Sequence, residues 1–545
     1  MKHKSLLCLI LLALLLVACS RGSEENTTAD EGASRSSNKT FTVDGYGSDT
    51  LRIVAGSENK MLEPIIQSFA KKNKVNITID YLGSLDIMAL LQSGELDYDA
   101  VWPASSIWLT LGDEHRLLKH TETTSITPVV FGIKRSLAEE LGFVGRDVTT
   151  SEIIQAIESG KLKFCMTSAT QSNSGASAYL GFLSALSPSK DGLTSQDLAD
   201  PALQNQITSL LKGAERSSGS SNWLVDLFLD GDYDAMVNYE TLIIQTNERL
   251  EKEGKEPLYC VYPVDGLSLS DSPLAYVDKG DADKEKLFLD FQHYLLSDKS
   301  QDGIEKTGKR SAYGTVREEN KKIYKKEWGI DLNRVLSPVR LPKADVIMEA
   351  LRLYQGQFKK PALTIYVLDY SGSMYGIGLE QMNRALEEVL IPENAEKNLL
   401  LGTSKDKTIL VPFSDTVYGS DSADGNGDDL RALYEKSQSY EISGGTSMYE
   451  AIIYALDLMK KEDASIENYT PAVVVLTDGM ANGTATIEDL QTAYDALGKD
   501  VPVFGILFGA ADPEELDQVA KLSRARVFDG RENLVEAFQQ VKGYN

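Results

Sequence analysis

Five oxygen-bearing side chains in the last third of the chain have the types and spacing of a cation site. They are two carboxylates and three hydroxyls: Asp369, Ser371, Ser373, Thr446 and Asp478. The first three follow the apolar run at residues 363–368, and the last follows a strand-like run at 472–477. Carboxylate and hydroxyl oxygens suit one small hard cation, Mg²⁺ or Mn²⁺, and suit Zn²⁺ or copper poorly.

Alternating strands and helices must bring these residues together. In a doubly wound sheet, ligands gather at the edge where the carboxyl ends of the strands meet the helix N-termini. Loops at that edge hold a cation from one side, so Mg²⁺ keeps open positions in its shell of six oxygens. The four histidines all lie outside this third of the chain: His3, His115, His120 and His293. Because the motifs lack a nucleophile with a neighbouring base, we expect a binding module and not an enzyme.

The spacing Asp-x-Ser-x-Ser at residues 369–373, with Thr446 and Asp478 in two later loops, resembles the metal-ion-dependent adhesion site of von Willebrand factor A domains. A lone Asp-x-Ser-x-Ser is equally a solvated turn that caps a helix, but three elements in order at strand-to-helix junctions are more specific. The resemblance covers residues 361–545, including a closing helix at 532–541. It implies a Rossmann-like domain whose cation accepts an Asp or Glu carboxylate from a protein partner.

The first residues predict export and lipid attachment. Two lysines flank the start, a short apolar stretch follows, and Leu-Val-Ala-Cys ends at Cys19. This pattern matches a bacterial lipoprotein signal peptide at 1–18 with Cys19 as the lipidated residue. The alternative is an uncleaved anchor, although the apolar stretch is too short to span a bilayer comfortably. Residues 19–45 are small and polar and predict a flexible tether, so we expect an extracytoplasmic protein held at the bacterial cell membrane or outer membrane by lipid.

The amino-acid composition excludes some classes of binding partner. The chain has 55 basic and 81 acidic residues and a formal net charge of −26. This charge argues against binding nucleic acid and against electrostatic docking on anionic lipid, so the lipid on Cys19 is the expected membrane contact. Cys165 and Cys260 form one pair that could bridge. Both lie in strand-like apolar runs, so we favour buried free thiols.

The first half of the chain alternates short apolar runs with helical periods, which predicts a mostly parallel sheet covered by helices. Examples of predicted strands are residues 51–56, 75–82, 98–102 and 127–134. This half resembles class II periplasmic solute-binding proteins, closest to the branch that binds molybdate-like oxyanions and sulfate. The segments that carry the resemblance are residues 55–57, 81–84, 172–175, 231–240, 262–266 and 297–301. It implies an α/β domain of two lobes at 46–320, which a helical linker at 321–360 joins to the second domain.

A ligand cleft is expected between the two lobes. Ser57, Ser84 and Ser174 each stand near the start of a helix, where free N–H groups and the helix dipole favour anions. These serines are candidates to line the cleft, and Tyr239 is a candidate to close it. The alternative is that each serine is an ordinary helix cap with no ligand. An oxyanion is one candidate for the solute.

Three functions are compatible with this organisation. The preferred hypothesis is an anchored extracytoplasmic protein that engages a protein partner through the cation, with the first domain as sensor or scaffold. The alternative is a receptor of the ABC-transporter type that delivers a solute, with an accessory adhesion domain. A third hypothesis is a metal-dependent hydrolase at Asp369 and Asp478, which lacks the usual base.

Overall fold

The computed structural model describes residues 40–189, 191–462, 466–478, 480–507, 509, 513–531 and 534–543. The predicted signal peptide, Cys19 and residues 20–39 of the predicted tether lie outside these ranges. Within them, no helix has both the length and the apolar character that a membrane crossing requires.

The strands build three sheets. Numbered β1 to β18 in chain order, they are Thr40–Val43, Thr50–Gly56, Asn76–Leu82, Ala100–Trp102, Leu118–Thr123, Thr127–Lys134, Phe164–Thr167, Ala214–Ser218, Ala235–Tyr239, Leu258–Val261, Ser268–Ser270, Pro273–Val277, Ala362–Asp369, Lys407–Phe413, Asp421–Asp424, Thr470–Thr477, Val503–Leu507 and Val527–Asp529.

Helices cover the sheets. The α-helices are Glu63–Asn73, Ser84–Ser93, Ser106–Gly112, Arg135–Glu140, Thr150–Glu158, Asn173–Leu186, Ser195–Leu198, Pro201–Leu211, Ser221–Asp230, Glu240–Lys252, Ala282–Leu296, Asp298–Glu305, Ala344–Leu353, Ile377–Leu390, Pro392–Lys397, Asp428–Ser437, Met448–Lys461, Ile487–Leu497, Pro513–Leu522 and Leu534–Gly543. Shorter 3₁₀ or π-helical turns are Ser57–Leu62, Glu318–Ile323, Lys326–Trp328, Tyr354–Phe358, Gly372–Met374 and Ile466–Asn468.

The first two sheets belong to two lobes. One sheet has the order β1-β3-β2-β4-β12-β5, and the other has the order β10-β6-β9-β7-β8 with β11 beside β6. Strand β12 returns to the first sheet after the second is complete, so the chain crosses between the lobes at residues 124–126 and again at 271–272. The crossings are joined, because the Thr124 hydroxyl donates to the carbonyl of Ser272 at 2.7 Å.

The third sheet has the order β15-β14-β13-β16-β17-β18. Strands β14, β13, β16, β17 and β18 run parallel, and β15 is an antiparallel edge. Every residue of β13 is buried, as expected of a central strand with helices on both faces. Apolar clusters fill the two sides of this sheet. This is the doubly wound arrangement that the sequence predicts.

The segment between the two halves is packed against the first domain. Tyr324, Trp328 and Ile330 are buried in the same apolar cluster as the second lobe, and so are apolar residues of the helix Ala344–Leu353. The Tyr179 hydroxyl also donates to the carbonyl of Ala350 at 2.8 Å. Residues 321–360, expected to be a helical linker, are therefore helical in part and are held on the second lobe.

Candidate cation site and interlobe cleft

Asp369 anchors the candidate cation site. It ends the central strand β13 and is fully buried. Its Oδ1 accepts a hydrogen bond from the backbone N–H of Ser371 at 2.7 Å, and its Oδ2 accepts one from the Thr477 hydroxyl at 2.6 Å. Because β13 and β16 are parallel neighbours, Thr477 at the end of β16 lies beside the carboxylate.

Hydroxyl contacts connect the first loop to Asp478. The Ser371 and Ser373 hydroxyl oxygens are 3.1 Å apart, and the Ser373 hydroxyl donates to Asp478 Oδ1 at 2.7 Å. The structure thus brings four of the five predicted ligands, Asp369 included, into one connected group at the carboxyl edge of the sheet.

Thr446 joins this edge through its backbone. Its N–H donates to Asn482 Oδ1 at 2.7 Å, and its carbonyl accepts from the Asn482 N–H at 2.9 Å. Nearby, the Gly372 N–H donates to the carbonyl of Gly444 at 3.2 Å. These bonds tie the three ligand-bearing loops to one another. Only glycine fits at position 444, because its φ is +70° and a Cβ there would lie 2.7 Å from the Asp415 carboxyl carbon.

The site is short of positive charge. Burial raises the pKa of Asp369 above its ordinary value, and the Asp478 charge adds to this, against the hydrogen bonds from Thr477 and Ser371. In the part of the chain that the structure describes, no Lys, Arg or His nitrogen lies within 4.0 Å of either carboxylate. Two close carboxylates without a base fit a divalent cation.

The donor set is made of oxygens only. The described ranges contain no group of three or more His, Cys, Asp and Glu side chains that could hold a metal. In the predicted set, two carboxylates would supply the charge, and Ser371, Ser373 and Thr446 would supply neutral oxygens. Mg²⁺ and Mn²⁺ accept such a set, whereas Zn²⁺ prefers nitrogen and sulfur.

The interlobe cleft contains the other predicted site residues. Ser57 begins the 3₁₀ turn Ser57–Leu62, and its carbonyl accepts from Asn222 Nδ2 at 3.0 Å. Ser84 is buried, and its Oγ accepts from the Ala104 N–H at 3.1 Å. These bonds are also what structural residues make, so a ligand role for Ser57 and Ser84 stays a prediction.

Ser174 and Tyr239 are buried on the second lobe. The Ser174 and Thr167 hydroxyl oxygens are 2.7 Å apart, and the Tyr239 hydroxyl accepts from Asn173 Nδ2 at 2.9 Å. No hydrogen bond of the described residues joins any two of the four predicted cleft residues. Ser174 and Tyr239 therefore also remain predictions.

The two lobes meet directly in this cleft. Trp108, on the first lobe, is fully buried, and its Nε1–H donates to Oδ1 of Asn173 on the second lobe at 2.6 Å. A Cβ on Gly83 would lie 2.7 Å from the carbonyl oxygen of Gln171, so the two backbones are in close approach. The lobes are therefore closed on each other.

An acidic and a basic side chain are enclosed in the first lobe beside the cleft. Glu58 and Lys309 are both buried, and Lys309 Nζ donates to Asn59 Oδ1 at 2.9 Å. Burial raises the pKa of Glu58 and lowers the pKa of Lys309 to about 8, although each charge attracts the other. Glu58 Oε1 has no hydrogen-bond partner among the described residues. A buried carboxylate oxygen without a hydrogen-bond partner costs folding free energy. Glu58 Oε1 can therefore accept a hydrogen bond from a ligand that carries a donor group.

Comparisons with known proteins separate the chain into two parts. Residues 51–310 match the family model described as bacterial extracellular solute-binding protein, and residues 365–540 match the model of the von Willebrand factor type A domain. The chain joins these two domains. Such domains are typically non-catalytic, and the solute-binding family implies an extracytoplasmic location.

A curated relative of this chain is inter-alpha-trypsin inhibitor heavy chain H3 of Bos taurus. It is 26% identical over 160 residues, which are 28% of this chain and 17% of that protein. The chain thus spans much less than two thirds of that relative.

Solved structures similar to the solute-binding domain include three binding proteins. The ferric binding protein from Campylobacter jejuni is 16% identical and covers 56% of this chain and 98% of its own, with a TM-score of 0.41. An ABC-transporter substrate binding protein from Agrobacterium tumefaciens is 14% identical, covers 57% and 96%, and has a TM-score of 0.41. A periplasmic thiamin binding protein is 11% identical, covers 56% and 96%, and has a TM-score of 0.43.

Several residues that shape these sites are absent from the sequence prediction. Thr477 is adjacent to Asp478, so its position at the end of a strand was a signal that could have found it. Asn482 lies four residues beyond Asp478 in a polar loop and had no distinguishing pattern. Glu58 and Lys309 are far apart in sequence, and only the fold brings them near each other.

Proposed function

We propose that this chain is an extracytoplasmic binding protein, anchored by lipid on Cys19, whose von Willebrand factor type A domain engages a protein partner through one divalent cation. The observation that carries the proposal is the edge where Asp369 and Asp478 lie close together, with no Lys, Arg or His side chain paired to either among the described residues. Asp369, Ser371, Ser373, Thr446 and Asp478 would hold Mg²⁺ or Mn²⁺. The bound cation supplies the positive charge that accepts an Asp or Glu of the partner.

The attachment of the two domains supports this proposal. Asp500 and Arg524 precede β17 and β18, so they lie at the amino ends of these strands, and both approach Arg216 of the solute-binding domain. The cation residues lie at the carboxyl ends of β13 and β16. The eight residues of β13 span about 26 Å at roughly 3.3 Å a residue, so the first domain is attached far from the cation edge. A partner can therefore approach that edge without displacing the first domain.

The cation is tested by titrating Mn²⁺ into the full chain and into Asp369→Ala, with Asp424→Ala as the matched control. Asp424 is an exposed carboxylate on the edge strand β15. We expect wild type and Asp424→Ala to bind one Mn²⁺ each and Asp369→Ala to give no binding heat, while circular dichroism stays unchanged. Equal Mn²⁺ heats for wild type and Asp369→Ala would contradict the proposed site.

Partner binding gives a second readout of the same site. We expect any complex formed in Mg²⁺ or Mn²⁺ to dissociate when EDTA removes the cation. We also expect Asp478→Ala to lose the complex, because this substitution removes one of the two charged ligands. A complex that persists without a divalent cation would contradict the proposal.

A second function, delivery of a solute to a transporter, is favoured by the unpartnered Glu58 oxygen beside the cleft. The test is thermal melting of the full chain and of Glu58→Gln with oxyanions, amino acids, sugars and metals. A ligand at a hundred times its dissociation constant adds about 2.7 kcal/mol, which moves a domain's midpoint by roughly 4 °C or more. A shift that Glu58→Gln abolishes would support a solute receptor. An unchanged midpoint across the panel would support a scaffold.

A further inference from the structure

Large apolar side chains are exposed on the loops that carry the cation ligands. Tyr375 is 85% exposed, Ile377 is 73% exposed and Met480 is 61% exposed, and Tyr418 is exposed on a neighbouring loop. We call these four residues the apolar collar. An exposed apolar patch with a polar rim is a feature of binding surfaces, because covering the patch removes apolar surface from water and lowers the free energy.

The collar is held next to the ligands. Tyr375 and Ile377 follow Ser373 within four residues, and a Cβ on the next residue, Gly378, would lie 3.6 Å from Asp478 Oδ2. Met480 lies two residues beyond Asp478. These three collar residues therefore lie within a few residues of the Ser373 and Asp478 ligands in the chain.

Tyr418 lies beside the loop that contains Ser443 and Gly444. The oxygen of its hydroxyl is 2.6 Å from the hydroxyl of Ser414 and 3.1 Å from that of Ser443. Ser443 precedes Gly444, whose carbonyl accepts the Gly372 N–H within the first ligand loop. Exposed apolar side chains therefore occur on the ligand loops and on the loop that neighbours them.

The charge of these loops selects the partner. Residues 369–380, 414–420, 441–450 and 478–486 contain no Lys or Arg. They do contain exposed acidic side chains: Glu380, Asp415 and Glu441. Within these loops, only the cation can attract a partner's carboxylate, and further acidic residues beside it are repelled by the acidic side chains.

We propose that the cation edge binds a segment of a protein partner in which one Asp or Glu is flanked by apolar side chains. The carboxylate completes the cation shell, and the flanking side chains cover the apolar collar. This inference rests on the proposed function, because the cation must be present. Beyond the proposed function, it specifies that the partner residues on either side of the carboxylate are apolar.

The test compares heptapeptides on the full chain in Mn²⁺ by fluorescence anisotropy. The first peptide is Gly-Leu-Phe-Asp-Leu-Phe-Gly, the second replaces the flanking residues by Ser and Gln, and the third replaces Asp by Asn. The variant Ile377→Gln/Met480→Gln removes two of the four collar side chains, both at exposed positions. Val335→Gln is the matched control, because Val335 is exposed and belongs to the connecting segment.

We expect wild type and Val335→Gln to bind the apolar-flanked Asp peptide at least about tenfold more tightly than the polar-flanked one, a difference of about 1.4 kcal/mol. The collar variant should reduce this preference to less than about threefold, with Mn²⁺ affinity unchanged. Equal binding of both Asp peptides, or a preference that the collar variant keeps, would overturn the inference even where Mn²⁺ binds.

Two further outcomes distinguish a non-specific surface and a homodimer contact from the proposed partner site. Binding of the Asn peptide in EDTA would show a non-specific apolar surface and would overturn the inference. Sedimentation of wild type as a dimer in Mn²⁺ that the collar variant abolishes would assign the surface to a second copy of this chain instead of a different protein. Failure of Mn²⁺ to bind wild type would contradict the proposed function itself, which the metal titration detects separately.

Discussion

Asp500 is the residue through which the attachment of the two domains is most directly tested. Its Oδ1 is 3.1 Å from Arg216 Nη1 of the solute-binding domain and 3.1 Å from Arg524 Nη2 of its own domain. Its Oδ2 accepts from the hydroxyl of Tyr233, also of the solute-binding domain, at 2.8 Å. Burial opposes the charge of Asp500, but the two guanidinium groups outweigh it and hold its pKa below the ordinary value. The carboxylate therefore offsets two positive charges at the interface.

The substitution Asp500→Asn removes the charge and keeps the volume. Removing one partner of a buried ion pair costs about 3–5 kcal/mol, because the remaining charge stays buried. Arg216 is 4% exposed, but Asp500 is 30% exposed, so water screens part of this cost. We therefore expect a loss of about 2–4 kcal/mol in the coupling of the domains.

The assay is calorimetric unfolding of the full chain. We expect Asp500→Asn to lower the first midpoint by roughly 4 °C or more and to separate the unfolding of the two domains. The matched control is Glu467→Gln, because Glu467 is exposed and pairs with Lys499 at 3.3 Å, next to Asp500 in sequence. Such a surface pair contributes about 0–1 kcal/mol. Midpoints for the two variants within about 1 °C of each other would refute the reasoning.

A second variant isolates the buried charge as the cause. Arg216→Met combined with Asp500→Asn removes the guanidinium that Asp500→Asn leaves buried and unpaired. Replacing both partners of a buried pair by apolar or neutral groups is often close to neutral. We therefore expect the double variant to be more stable than Asp500→Asn alone. A double variant that is less stable would show that Arg216 acts through packing.

Three further predictions concern the solute-binding domain. Because burial lowers the pKa of Lys309 from 10.5 to about 8, the unfolded chain binds more protons than the folded chain between these values. Lys309 should therefore contribute a rise of about 2 kcal/mol in stability from pH 7 to 9.5, and denaturation of Lys309→Met should show a rise smaller by that amount. Cys165 and Cys260 are free and buried with raised thiol pKa values, so native protein should resist a thiol reagent that labels both residues in denaturant. Gly175→Ala places a Cβ 2.1 Å from a backbone carbonyl and should cost about 1–3 kcal/mol in denaturant unfolding, whereas Gly356→Ala meets no atom within 4 Å and should not destabilise.

Local sequence pattern predicts the strands well because each buried strand is a short apolar run with polar ends. The strand predicted at 127–134 is observed as Thr127–Lys134, and the one predicted at 51–56 as Thr50–Gly56. The strand predicted at 98–102 begins later, at Ala100. The closing helix predicted at 532–541 is observed as Leu534–Gly543, and residues 532–533 lie outside the described residues.

The carboxyl ends of parallel strands explain why the candidate cation site could be predicted. Asp369 and Asp478 each follow an apolar run, and parallel pairing of β13 with β16 makes the ends of such runs neighbours. Sequence pattern also predicts buried free thiols, and Cys165 and Cys260 confirm it. The position of Thr446 is harder to predict, because its loop is held by hydrogen bonds between its backbone and Asn482, and no side-chain pattern in the sequence indicates them.

Long-range pairs could not be predicted. Lys309 and its partner Asn59 are 250 residues apart, and Asp500 and Arg216 are 284 residues apart. Each of these residues is charged or polar and, in isolation, would be assigned to the surface. The burial of Lys309, Asn59 and Arg216 depends on how lobes and domains pack, which local periodicity does not encode.

The helix Ser221–Asp230 separates the two roles proposed for the solute-binding domain. Asn222 on this helix donates to the carbonyl of Ser57 on the other lobe, so opening of the cleft must break that bond. The next residue, Trp223, packs against the core of the von Willebrand factor type A domain, and Arg526 of that domain lies over its ring at 5.9 Å. A cleft that opens therefore changes contacts of a helix that also touches the second domain, as a sensor requires. A cleft that stays closed leaves the helix and its contacts with both domains unchanged, as a scaffold requires. The proposed partner surface, at the carboxyl edge of the third sheet, is available in both cases.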